Sequence, residues 1–184
     1  MLELLVCKNR KDELMKSLKE QSFYENEEFY LIIDDIIQNE HFLEIMNVRH
    51  HGITRYNHSL RVSYYTFLIT KKLKLNYIEA TRAALLHDFF TDETDDMGGF
   101  KALTSHPKIA LKNAKKYFDI SKLQEDIILK HMFPITLEFS KYRESVIVDI
   151  VDDIASVYER TYSFRNEFRT AINFIFIILL LKFK

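Results

Sequence analysis

The sequence predicts an all-α fold, a single bundle of about six to eight helices. Three observations predict it. Apolar residues recur at helical spacing along most of the chain. Only three glycines and two prolines interrupt its 184 residues. No stretch alternates apolar and polar residues as a half-buried strand would.

The elements follow in order. Asn26–Met46 (NEEFYLIIDDIIQNEHFLEIM) sets Phe29, Ile32, Ile33, Ile36 and Ile37 on one face and acids on the other, an amphipathic helix. His50–His58 (HHGITRYNH) is a polar, glycine-containing loop that enters a helix running to Leu73. Asn76 stands three residues before Glu79, the spacing of a capping pair, and opens a helix that ends at His87-Asp88. Thr91–Ser105 is a polar loop whose two glycines would let it act as a lid. A helix starts at Ser105, with Pro107 in the first turn, where its missing N–H is tolerated. Ser121 precedes Gln124 by three residues, a capping-box pattern, and Pro134 helps to end that helix. Glu144–Glu159 is a further helix. By this reading residues 1–25 are an N-terminal helical extension and 26–160 the main domain. Residues 161–184 are an apolar C-terminal helix, packed on the domain or in a dimer interface.

Bulk properties narrow the function. The chain is 47% hydrophobic and 29% charged, as globular proteins are. Its net charge is −1, with no long basic tract, so nothing predicts a nucleic-acid groove driven by counterion release. The lone cysteine, Cys7, cannot form an internal disulfide and points to a cytoplasmic location. The first residues, MLELLVCKNRKDE, show no basic leader, long apolar segment or small-residue cleavage site, so no signal peptide is expected. The uncharged run Ala171–Leu181 falls short of the ~20 residues that span a bilayer. It lacks the polar face of an interfacial anchor and fits a buried or dimer-burying helix better.

The chemistry lies in a set of histidines and acids. The apolar run RAALLHDFF, Arg82–Phe90, ends in His87-Asp88. A buried carboxylate is costly unless it is paired or bound to a metal. His58, His106, His131 and Asp152 complete six ligand-type residues on five segments. Imidazole and carboxylate together suit divalent transition metals. At 100° per residue the stripe Ile147, Val148, Val151, Ile154, Ala155 and Tyr158 puts Asp152 at its border, while Asp149 and Asp153 point to solvent. His131 follows Ile127 and Ile128 by one turn and faces inward.

NHSLRVS (Asn57–Ser63), ALLHDFF (Ala84–Phe90) and IVDDIAS (Ile150–Ser156) resemble the H…HD…D signature of the HD-domain superfamily of metal-dependent phosphohydrolases. SHPKIAL (Ser105–Leu111) and ILKHMFPIT (Ile128–Thr136) are similar to the extra histidine segments of its two-metal members. That layout resembles the bacterial HD-type hydrolases of symmetrical dinucleoside polyphosphates, and a group of uncharacterised bacterial HD proteins of this size. The resemblance runs from Asn26 to Glu159.

It implies that His58, His87, Asp88 and Asp152 hold one ion, and that His106 and His131, with Asp88 bridging, hold a second. The cofactor it implies is a divalent transition metal, one or two ions, with Fe or Mn favoured and Zn, Co, Ni or Mg left open. Relatives often carry a non-acidic residue after the final ligand, where this chain has Asp153; the helical-wheel argument selects Asp152.

Two ions sharing a carboxylate would hold a hydroxide for in-line attack on phosphorus. The expected substrate is a nucleotide or another small phosphorylated compound. Asp88 would serve the reaction as the bridging ligand. Arg61, one turn after His58, and Lys108, two residues after His106, are the candidate phosphate contacts. Arg55, His50 and His51 stand in the loop before His58, where solvation is the simpler expectation, and Lys130 is expected to point away. The alternatives are an HD-fold metal- or nucleotide-binding regulatory module with little turnover, and a helical domain whose histidines are core residues.

Overall fold

The computed structural model describes residues 26–50 and 53–161, and among these it is built of seven α-helices around one core. They are α1 (Glu27–Ile37), α2 (Glu40–Leu43), α3 (Arg55–Lys72), α4 (Tyr77–Leu86), α5 (Gly99–Tyr117), α6 (Lys122–Lys130) and α7, whose described part is 143–161. A single 3₁₀ turn, Glu44–Asn47, follows α2. The segments expected at 1–25 and in the C-terminal tail beyond 161 lie outside the described residues.

Local sequence explains most helix starts. Asn26 caps α1 by accepting the Phe29 amide at 3.1 Å. Thr54 accepts the Asn57 amide and opens α3. Ser121 and Gln124 form the expected capping box of α6. Asn76 caps α4 through its oxygen and donates its amide group to the Glu79 carboxylate at 2.9 Å.

Four expectations change. The helix expected over Asn26–Met46 breaks at Gln38, because Asn39 accepts the His41 and Phe42 amides and starts a second helix. The expected loop at His50 contains a two-stranded antiparallel ribbon, Arg49–His50 with Ile53–Thr54, too short to show alternation. The α5 helix begins at Gly99, six residues before Ser105, so Pro107 lies in its interior. The expected lid thereby shrinks to residues 91–98, and its Glu93 accepts from Asn113 of α5 at 2.7 Å. The buried face of α7 is Ser145, Val148, Asp149, Val151, Asp152, Ala155 and Glu159. Ile154 and Tyr158, expected inside, are 65% and 56% exposed, and Asp149, expected outside, is buried. Hydropathy alone placed the stripe, whereas the packing of α7 against the bundle sets which of its residues are buried.

The core runs from Phe29, Ile33 and Ile36 of α1 through Tyr56, Leu60 and Phe67 of α3 and Ala80–Leu86 of α4 to Ile127 and Ile128 of α6. The α4 helix packs against α3, α6 and α1, so its C-terminal end opens into the middle of the bundle. That end carries His87 and Asp88.

Candidate metal centre

Two helices deliver a histidine by the same device. The last carbonyls of a helix have no intrahelical donor. His87, at the C-cap of α4, turns Nδ1 back to the Ala84 carbonyl at 2.7 Å. His131, at the C-cap of α6, turns Nδ1 to the Ile128 carbonyl at 2.8 Å. Both rings donate to backbone and so direct Nε2 into the bundle. His106, on α5, sets its Nε2 2.9 Å from that of His131. His58, in the first turns of α3, sets Nε2 at 2.8 Å from Asp152 Oδ1 and Nδ1 at 2.9 Å from Glu159 Oε2.

Asp88 stands between the pairs. Its Oδ1 lies 3.4 Å from His106 Nε2 and 3.8 Å from His131 Nε2. Its Oδ2 lies 3.9 Å from His87 Nε2. The six expected ligands therefore meet, all of them buried. Their donor atoms form three overlapping triplets: His58–His87–Asp88, His87–His131–Asp152 and Asp88–His106–His131. Within each triplet the atoms lie within 4.8 Å of one another, close enough for small side-chain shifts to bring them onto one cation.

The donor chemistry fits a cation. His87 Nε2 is buried with no hydrogen-bond partner, while carboxylate oxygens of Asp152 and Asp88 lie 3.7 and 3.9 Å away. A ring proton there finds no acceptor at hydrogen-bonding distance, whereas a dication satisfies the nitrogen and both acids together. Burial, with His87 and His106 nearby, drives His131 down to about 3, so it stays neutral, the form that ligates metal. Burial also holds His106 below its ordinary value. At His58 burial acts against the charge, but the bonds to Asp152 and Glu159 win and raise it to about 10. Asp152 is lowered well below its usual range: burial opposes this, and His87 and His58 outweigh it.

The remaining candidates separate. Arg61 is half-buried on α3, paired with Glu159 and 5.7 Å above the Tyr158 ring. Lys108 is exposed, and two residues from His106 it leaves the helix on a different face. Lys130 points away as expected, to Asp126 and the Phe139 carbonyl. Arg55 is not solvated. It is buried, donates to the carbonyls of Phe90 and Thr91, stacks 3.6 Å over Phe90, and sets Nε 3.9 Å from Asp88. Phe90 in turn stacks on His106, so Arg55 braces the turn after His87-Asp88. His51 lies outside the described residues, and His50 contributes backbone to the ribbon.

Sequence reasoning missed Glu159, which is only 3% exposed. Its signal was present: it follows Asp152 by seven residues, two helical turns on the same face.

A family model described as HD domain matches residues 55–157. No curated protein matches the chain. No solved structure matches it either. The matched stretch is more than half of the chain and includes all six clustered ligands. The chain belongs to the HD-domain family.

Proposed function

We propose that this chain is a metal-dependent phosphohydrolase that cleaves a phosphoester or phosphoanhydride bond of a nucleotide or another small phosphorylated compound. One observation carries the reading: five segments bring six buried donors together in three overlapping triplets, among which His87 Nε2 has no hydrogen-bond partner. Membership of the HD-domain family supports the same reaction class.

In this reading His58, His87, Asp88 and Asp152 hold one divalent ion, and His106, His131 and Asp88 a second. Iron or manganese is favoured by the mixed imidazole and carboxylate set. Such an ion, when bound, supplies Lewis acidity toward phosphoryl oxygens and lowers the pKa of water toward neutrality. The chain's own residues do the rest. Asp88 divides its two oxygens between the His106–His131 side and the His87 side, which orients both halves of the site. Arg61 pairs with Glu159 through one nitrogen; its other nitrogens are offered to a substrate phosphate. Lys108, expected as a second phosphate contact, leaves α5 on a different face from His106 and takes no part in this reading. The closed, dry cluster excludes bulk water from the acids and strengthens every charge interaction within it.

The test is a phosphate- and nucleotide-release screen with Mn or Fe added, over nucleoside mono- and triphosphates, cyclic nucleotides and symmetrical dinucleoside polyphosphates. Turnover that a chelator abolishes is the expected result. Protein that neither carries nor takes up a transition metal would end the proposal. The reading places the enzyme in the cytoplasm as a homodimer, which fractionation and gel filtration would check. No described helix is long and apolar enough to cross a membrane.

A further inference from the structure

We infer that Glu159 is the positioning residue of the metal centre, coupling the His58 ligand to Arg61 by giving one carboxylate oxygen to each. This rests on the proposed metal site and names a residue outside the ligand set.

The geometry is specific. Glu159 Oε2 lies 2.9 Å from His58 Nδ1, and Oε1 accepts from an Arg61 guanidinium nitrogen. His58 and Arg61 are one turn apart on α3, and Glu159 reaches both from α7. The Glu159 side chain is 1% exposed and that of His58 1%, so no solvent competes for either bond. A carboxylate beside Nδ1 accepts the ring proton there and leaves the Nε2 lone pair for the ion. His87 and His131 obtain the same tautomer from backbone carbonyls at the ends of their helices. His58 sits near the start of its helix, where free N–H groups cluster and free carbonyls do not, so it needs an acceptor from elsewhere. Glu159 supplies it, and Arg61 balances the charge that acceptor brings.

Two substitutions divide the role. Glu159→Ala removes both acceptors. Glu159→Gln keeps an oxygen for the His58 ring proton but turns an amide donor toward Arg61. The readouts are zinc affinity by competition with a chromophoric chelator, and the ring-proton signal of His58 in ¹⁵N-histidine spectra of zinc-loaded protein. We expect Glu159→Ala to lose about 10–100-fold in zinc affinity and to lose the protected Nδ1 proton. Glu159→Gln should recover most of the affinity and the proton signal while raising KM, the same KM effect as Arg61→Ala. Should Glu159→Ala fail to fold, Glu159→Gln set beside Arg61→Ala carries the test: matching KM rises with preserved zinc affinity support the coupling, and unchanged KM in Glu159→Gln overturns it. Wild-type affinity in folded Glu159→Ala overturns the inference and leaves the phosphohydrolase reading standing. Wild-type protein whose zinc affinity and His58 Nδ1 proton depend on Glu159 but which turns nothing over does the reverse. Wild-type protein that binds no zinc overturns both.

Discussion

Two parts of the bundle bury aspartates and stabilise them by opposite means. Asp126, on α6, takes a conventional shell of donors. Lys130 lies at 2.8 Å, Ser145 Oγ at 2.8 Å and the Lys141 amide at 2.9 Å. Burial resists its charge, and these three groups outweigh the penalty and hold its carboxyl below the ordinary value. Asp88 is also buried, but it meets imidazole nitrogens whose own protons are largely spent on helix carbonyls. The first shell is complete in protein atoms. The second is made of imidazoles, with the buried Arg55 Nε at 3.9 Å. Burial of an acid is therefore not the mark of a site; the character of the atoms around it is.

The largest effect should come from breaking the second arrangement. Asp88→Asn removes the carboxylate shared by both sides. Metal uptake and turnover should both vanish, and metal addition should no longer raise the thermal midpoint. In the wild type, a metal at 100 to 1,000 times its Kd adds about 2.7–4.1 kcal/mol of stability. A variant that still gained that amount would show Asp88 to be dispensable.

The reciprocal change is smaller and falls on stability alone. Asp126→Asn leaves the Lys130 ammonium without its counter-charge and weakens the bonds from Ser145 and Lys141. It should cost about 1–3 kcal/mol in urea unfolding, with metal content per folded molecule unchanged. A loss of metal would mean that the two aspartates are not separable.

The smallest effect sharpens the contrast within one helix. Asp149 lies three residues before Asp152 and is equally buried, yet its Oδ1 has no hydrogen-bond partner. Burial, then Asp153 and Asp152, push it up to about 7, opposite to Asp152. An acid whose folded value is raised holds its proton more tightly in the native state. Its stability contribution is present at low pH and is lost as pH rises from its unfolded value near 3.8 to about 7. Asp149→Asn should flatten metal-free stability across that window and raise the thermal midpoint at pH 8 by a few degrees. An unchanged pH profile in thermal melts would remove Asp149 from the account.

Much of this was legible in the residues. The all-α class followed from periodicity and scarce glycine, and the capping box at Ser121 and Gln124 marked its helix to the residue. The six candidate ligands were legible because histidines and acids stood at unusual places in apolar patterns, and the structure brings all six together. Arg55 was not, and Glu159 was legible only as an acid on the same helix face as Asp152. Their meaning comes from partners 101 residues away in one case and 35 in the other, a distance no local pattern encodes. Asp149 failed for a related reason. A hydropathy wheel assigns an acid to solvent, and only the packing of α7 against the bundle turns it inward.

The sequence by itself determined the helices, their caps and the kind of donor each would carry, because those depend on neighbours within a turn or two. Tertiary structure alone decided that the donors face one another, that Asp126 takes a lysine and Asp88 a ring of imidazoles, and that Glu159 stands behind His58. Convergence depends on how helices pack, and packing is settled by contacts between residues far apart in the chain.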